Sequence, residues 1–349
     1  MDSFKLTEVA LNAWLNILIG HHHTYIPVAE VKGGFQKWLP ARKGEFPVFL
    51  PGTPKSSIKQ FFFPQPETLS VFSCNHKEPD AFIPKAPVIK GDASSFRVLF
   101  GVRPCDARSV MLNALAFKDD PYYQTRLKEN AIIGMGCLTQ TKTCFCSWVG
   151  GSPLGREGMD ILLVPLDSGD YVAEVITDRG RDLIQYLEDL KEASSKDLEE
   201  VAQKREKADG PMSKMPPLAD QLKAKELLAL YNAPFWDSVA EPCINCGACT
   251  FLCPTCYCFD IQDEVVGNRG RRIRYWDSCM FPLFTKHASG HNPRGDKTAR
   301  VRNRFLHKFK YFPDRFGPVS CVGCGRCIKE CPVNIDIREV VRDLLSVKQ

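Results

Sequence analysis

Eight cysteines near the carboxyl end of the chain fall into two copies of one spacing. The first copy is Cys243, Cys246, Cys249 and Cys253, with Gly247 inside it and Pro254 directly after. The second is Cys321, Cys324, Cys327 and Cys331, with Gly323 and Gly325 inside it and Pro332 after. Both read C-x2-C-x2-C-x3-C-P. Three thiols at two-residue intervals let one tight loop surround a single iron–sulfur cubane. Glycines in such a loop allow positive backbone dihedrals and let amides approach the sulfides.

The fourth cysteine of each copy follows about one helical turn later, so it points away from its own loop. Proline then ends the turn. The spacing therefore predicts crossed ligation of two [4Fe-4S] clusters, as in bacterial two-cluster ferredoxins. Cys243, Cys246, Cys249 and Cys331 share the first cluster; Cys321, Cys324, Cys327 and Cys253 share the second. Zinc is the rival, but zinc sites use two separated C-x-x-C pairs without a third evenly spaced thiol and a Cys-Pro ending.

Eight further cysteines remain: Cys74, Cys105, Cys137, Cys144, Cys146, Cys256, Cys258 and Cys279. Cys144-Phe-Cys146 and Cys256-Tyr-Cys258 each place two thiols on one side of an extended segment. Cys105, Cys137, Cys144 and Cys146 are candidates for a third cluster, with ordinary buried thiols as the alternative. Gly150-Gly-Ser-Pro-Leu-Gly155 fits neither the dinucleotide fingerprint nor the P-loop and reads as a turn. His21, His22 and His23 have no acidic or cysteine partner nearby in sequence and read as a solvated or capping turn. No catalytic triad, His-Glu-x-x-His motif or paired carboxylates stand out, so no residue is assigned as catalytic.

The elements that must position these thiols divide the 349 residues in two. Residues 1–235 read as a mixed α/β domain with a helical linker over about 180–235, and residues 236–349 as the dicluster domain. The fold class expected is α+β. In the front part, residues 4–19 have an amphipathic helical pattern ending at Gly20. Residues 46–50, 96–102, 131–135 and 161–164 are strand candidates, and 106–117 is helical between them. Further helices are expected at 182–190, from Ser194 with Asp197 as its start, and over 218–231.

Between the cysteine runs lie residues 254–320, a long insertion. Its stretch 269–310 holds 12 Lys or Arg against two Asp, a local net of +10 in a chain of +5. That stretch is expected to compensate anionic clusters or dock an acidic partner; nucleic acid is the less favoured use. Charged residues at 25% and hydrophobic ones at 44% fit a soluble globular chain. No apolar run approaches a membrane span, and the amino end lacks the pattern of a secretory signal. Sixteen cysteines argue for a reducing, cytoplasmic compartment.

Several phrases carry a resemblance: Gly101-Val-Arg-Pro-Cys105-Asp-Ala-Arg108, Asn130-Ala-Ile-Ile-Gly134, Cys144-Phe-Cys146, Cys253-Pro-Thr-Cys256-Tyr-Cys258-Phe-Asp260 and Trp276-Asp-Ser-Cys279. His287-Ala-Ser-Gly-His-Asn-Pro-Arg294 and Arg302-Asn-Arg-Phe-Leu-His-Lys308 add to it. From about residue 95 onward the chain resembles the iron–sulfur beta subunits of cytoplasmic NiFe sulfhydrogenases and the dicluster ferredoxin-like subunits of anaerobic sulfite reductases. The resemblance implies an electron-relay subunit of an anaerobic complex, with the eight run cysteines as cluster ligands and catalysis in other subunits. Its partners would be a flavoprotein that handles NAD(P)H and a hydrogenase, sulfite reductase or heterodisulfide-reductase-like module. The rivals are a flavin enzyme whose front domain binds FAD, and a redox-sensing nucleic-acid binder.

Overall fold

The computed structural model describes residues 2–29, 36–47, 49, 51–74, 82–84 (backbone), 96–210 and 216–348. Among the described residues twelve strands lie in chain order. They are β1 (Ser3–Leu6), β2 (His23–Ala29), β3 (Gln36–Pro40), β4 (Glu67–Ser73), β5 (Phe82–Pro84) and β6 (Arg97–Val102). β7 (Asn130–Met135), β8 (Ile161–Pro165), β9 (Tyr171–Val175), β10 (Lys191–Glu192), β11 (Phe259–Val266) and β12 (Arg269–Trp276) follow. All but the last two belong to the front part of the chain.

An eight-stranded sheet runs in the order β10-β1-β9-β8-β7-β6-β2-β3. Its middle strands β2, β6, β7 and β8 are parallel, and antiparallel strands close both sides. The central strands are continuous apolar runs because both faces are covered. Alternate residues point to opposite faces. Val98, Phe100, Ile133 and Leu163 pack on Leu11, Trp14, Leu15 and Leu18 of helix Glu8–His21. Leu99, Ile132, Leu162 and Val164 face the other way, towards Val110, Phe117 and Tyr123. Mixed helix and sheet content agrees with the α+β class expected.

Three of the four strand candidates form, as β6, β7 and β8. The fourth does not: Phe46, Pro47 and Phe49 lie outside any strand, while 48 and 50 fall outside the described residues. The first helix is shorter at its start and longer at its end than its pattern suggests. Ser3–Leu6 pairs with β9 as a strand, Thr7 caps the helix by accepting from Ala10 N at 3.1 Å, and Gly20 is helical. His22 is the carboxyl cap, its N–H bonded to Leu18 O, so the triple histidine does form a capping turn. It is not a solvated one throughout: His22 is buried and stacks on Phe96 at 4.3 Å. The helix expected at 182–190 is instead Asp178–Ile184, capped by Thr177.

Ser194 and Asp197 make the reciprocal capping box that starts helix Ser195–Asp209. Residues 218–231 split into helices Leu218–Lys223 and Leu227–Tyr231. The break lets Leu230 join Leu218 and Leu222 in a third apolar core with Trp236, Phe305 and Phe309. The helix Ile337–Ser346 adds Ile337, Val340, Val341 and Leu344 to that core, the one-sided spacing of a packed helix.

Between the two cysteine runs, β11 and β12 form a hairpin whose register, Val266 opposite Arg269, leaves Gly267-Asn268 as a two-residue turn. That dipeptide is a hairpin signal the charge count obscured. β12 then pairs with β4, so a four-stranded sheet, β11-β12-β4-β5, joins chain from both sides of residue 236.

Candidate iron–sulfur centres

The two cysteine loops adopt the same backbone course. Asn245 and Gly323, each just before the second cysteine, have φ of 55° and 63°; Gly247 and Gly325, just after it, have 74° and 75°. Left-handed backbone at both places wraps the chain around the space inside. Gly323 has a second reason to lack a side chain: a Cβ there would lie 2.5 Å from Cys146 N. A Cβ on Gly325 would lie 2.4 Å from Thr143 O. The second loop is thus pressed against residues 143–146 of the front domain, and Phe145 N donates to Gly323 O at 2.9 Å.

Two neighbouring voids open inside these loops. Counted out to open solvent, one is about 530 Å³ and is bordered by Cys243, Cys246, Cys249, Cys327 and Cys331. The other, about 310 Å³, is bordered by Cys253, Cys321, Cys324 and Cys327. Each loop of three thus meets the fourth cysteine of the other copy. Backbone N–H groups point at the sulfurs: Asn245 N at 3.5 Å from Cys243 Sγ, Gly323 N at 3.4 Å from Cys321 Sγ, and Ile335 N at 3.3 Å from Cys331 Sγ. Among the described residues no three His, Cys, Asp or Glu side chains gather tightly enough for a single ion. Thiols spread around a void suit a polynuclear cluster whose own sulfides fill the middle.

Spacing alone did not single out two cations at these voids. Helix Lys297–Leu306 and the π-turn His307–Tyr311 that extends it carry Arg304 and Lys308 four residues apart. Arg304 borders both voids; Lys308 borders the second, its Nζ 3.4 Å from Cys253 Sγ and 3.0 Å from Ser320 O. Burial works against both charges, but Cys249 and Cys327 beside Arg304, and Cys253 and Cys256 beside Lys308, hold both groups above their usual ranges. An i, i+4 basic pair on a helix that also buries Val301 and Phe305 was the available signal.

The thiols respond in two ways. Burial pushes Cys321 up to about 11 and Cys324 and Cys327 up to about 12. Cys253 goes the other way, well below its usual value, through a hydrogen bond from Cys256 and the ammonium of Lys308. Much of the remaining basic stretch is spent internally. Arg274 pairs with Glu67 and Asp120, Arg272 with Asp263, and Lys310 donates to Lys223 O at 2.9 Å.

Of the eight other cysteines, Cys256 lies beside Cys253, Cys74 is exposed, and the remaining six form two groups. At the base of the β11–β12 hairpin, Cys258 lies opposite Asp277, whose N donates to Cys258 O at 2.9 Å, and the Cys258 and Cys279 thiols meet. That hydrogen bond from Cys279 pushes Cys258 down to about 7. The second group, Cys105, Cys137, Cys144 and Cys146, sits in the front domain next to Cys324. The glycine-rich segment 150–155 is a turn after the short helix Cys146–Val149, with Gly150 at φ 78°.

A doubled C-x2-C-x2-C-x3-C-P pattern whose cysteines border two neighbouring voids is the arrangement of an iron–sulfur protein. Residues 242–335 match the 4Fe-4S dicluster domain family. The chain is 33% identical over 270 residues to sulfhydrogenase 2 subunit beta of Pyrococcus furiosus, covering 75% of this chain and 78% of that one. The chain belongs to the family of sulfhydrogenase beta subunits. No solved structure matches it.

Proposed function

We propose that the chain relays electrons through two [4Fe-4S] clusters as one subunit of a larger oxidoreductase, in a reducing, cytoplasmic setting. Cys243, Cys246, Cys249 and Cys331 hold the first cluster; Cys321, Cys324, Cys327 and Cys253 hold the second. The observation that carries this reading is the pair of adjoining voids: Cys243, Cys246 and Cys249 meet Cys327 and Cys331 of the other run at the first, and Cys321, Cys324 and Cys327 meet Cys253 at the second. When bound, the clusters supply reversible one-electron chemistry. The chain's own residues direct backbone N–H groups at the sulfurs and place the positive charges of Arg304 and Lys308 beside them. Family membership supports a complex with partner subunits: a flavoprotein that handles NAD(P)H on one side, and a hydrogenase or reductase module on the other. Among the described residues no helix is long and apolar enough to cross a membrane.

Anaerobic reconstitution with iron and sulfide, read by low-temperature EPR, tests the assignment. Cys331→Ser is expected to perturb the cluster held by Cys243, Cys246 and Cys249 and to leave its neighbour largely intact. A variant in which only the neighbouring signal changes would refute the crossed ligation. Colourless protein carrying zinc would refute the relay itself.

An open hollow, about 500 Å³ when counted out to solvent, lies at the carboxyl ends of β6 and β7, bordered by Arg103, Thr139 and Tyr171, and favours a second reading in which the front part of the chain binds a flavin. Acid release of stoichiometric flavin from purified protein would support it, and release of none would dismiss it.

A further inference from the structure

We propose that Cys105, Cys137, Cys144 and Cys146 form a third thiolate site, which holds an additional iron–sulfur cluster in the front domain beside the second void. Three separate segments deliver these residues to one place. Cys105 lies in the first turn of helix Pro104–Ala116, directly after β6. Cys137 follows β7 by two residues. Cys144 and Cys146 lie on the loop beyond it. All are at the carboxyl ends of two neighbouring parallel strands, where open α/β sheets gather ligands.

The segment is held in register by bonds at both its ends. Cys137 N donates to Pro153 O at 2.9 Å, and Phe145 N bonds to the second cysteine loop. Thr141 Oγ1 lies 3.1 Å from Cys144 Sγ. Cys146 is within electrostatic reach of Cys105, Cys137 and Cys144. None of these four belongs to the three cores formed by the described residues, although Cys146 is only 8% exposed. Four thiols from three segments match the ligand number of one [4Fe-4S] cluster.

The position gives the site a use that rests on the relay reading. Cys105 neighbours Cys324 of the second set as well as Cys146. Phe145, between Cys144 and Cys146, borders the second void. A cluster here would extend the path from the second void to the exposed loop 138–142, where a partner could exchange electrons.

The test is iron and acid-labile sulfide per chain after anaerobic reconstitution of full-length protein, with EPR of the reduced state. About 12 irons are expected in the unaltered chain and about eight in Cys137→Ala/Cys146→Ala, with both ferredoxin-type signals retained. Cys144→Ser, at a partly buried position, gives the same drop should the double variant fail to fold. About eight irons in the unaltered chain overturn the proposal, as do about 12 in both proteins, or eight with one tightly held zinc. Cys246→Ala/Cys324→Ala separates this from the relay reading: about four irons surviving there belong to the front site, and none surviving overturns it.

Discussion

Lys308 shows how much one side chain can set in a protein of this kind. It is buried, charged and in contact with Cys253 Sγ, so its ammonium stabilises whatever negative charge the second void receives. Reduction adds an electron, so removing the cation must make reduction harder. At an effective dielectric near 20 and a separation of roughly 6 Å, one charge is worth about 3 kcal/mol, on the order of 100 mV for a one-electron step. With two clusters as proposed, Lys308→Met is therefore expected to lower the potential of the second by that order and to shift the first far less. Potentiometric titration followed by EPR checks it; equal shifts in both clusters, or none, would contradict the role. Arg304 borders both voids, so its removal lowers both potentials together.

Elements rather than single groups hold the front domain to the cysteine loops. The first turn of helix Pro104–Ala116 presents Asp106, fully buried, to Arg326 on the short helix Arg326–Lys329, with bidentate contacts of 2.6 and 2.7 Å. Arg326 Nε also donates to Pro54 O at 2.9 Å. Removing one member of a buried pair leaves an uncompensated charge, so Asp106→Ala is expected to cost about 3–5 kcal/mol. The double change Asp106→Leu/Arg326→Met should cost much less, because no lone charge is left behind. Urea unfolding of the reconstituted proteins measures both. A single change below about 1 kcal/mol would mean that the pair is not what ties these helices together.

The whole molecule is one interlocked body at the level of its sheets. β12, from the long insertion, hydrogen-bonds to β4 of the front part, and Arg274 on β12 is buried against Glu67 on β4. Trp276 Nε1 donates to Phe63 O at 2.8 Å, and Lys59 donates to Phe251 O and Cys256 O. We propose that residue 236 is a junction along the chain and not the border of an independently stable unit. Residues 236–349 expressed alone are expected to lose iron on gel filtration and to unfold over a broad range. A sharp transition with full iron content would show that the carboxyl part folds by itself.

The doubled cysteine spacing, the buried central strands β6 to β8 and the capping box at Ser194 were legible in the linear order, because each depends on residues a few positions apart. A thiol every third residue, an apolar run and a side chain reaching its own helix end are local matters. The strand at Ser3–Leu6 was not legible: its reason to extend is β9, some 170 residues away, and helical periodicity there is equally good. The basic stretch was visible as charge, but which cations reach the voids was settled by the packing of the helix that carries Arg304 and leads into Lys308. Convergence of Cys105, Cys137, Cys144 and Cys146 beside Cys324 likewise follows from parallel strands ending side by side. Local spacing determined the chemistry available to this chain; long-range packing alone decided which thiols and charges share one space, since burial and Coulomb interactions act across distances in space and not along sequence.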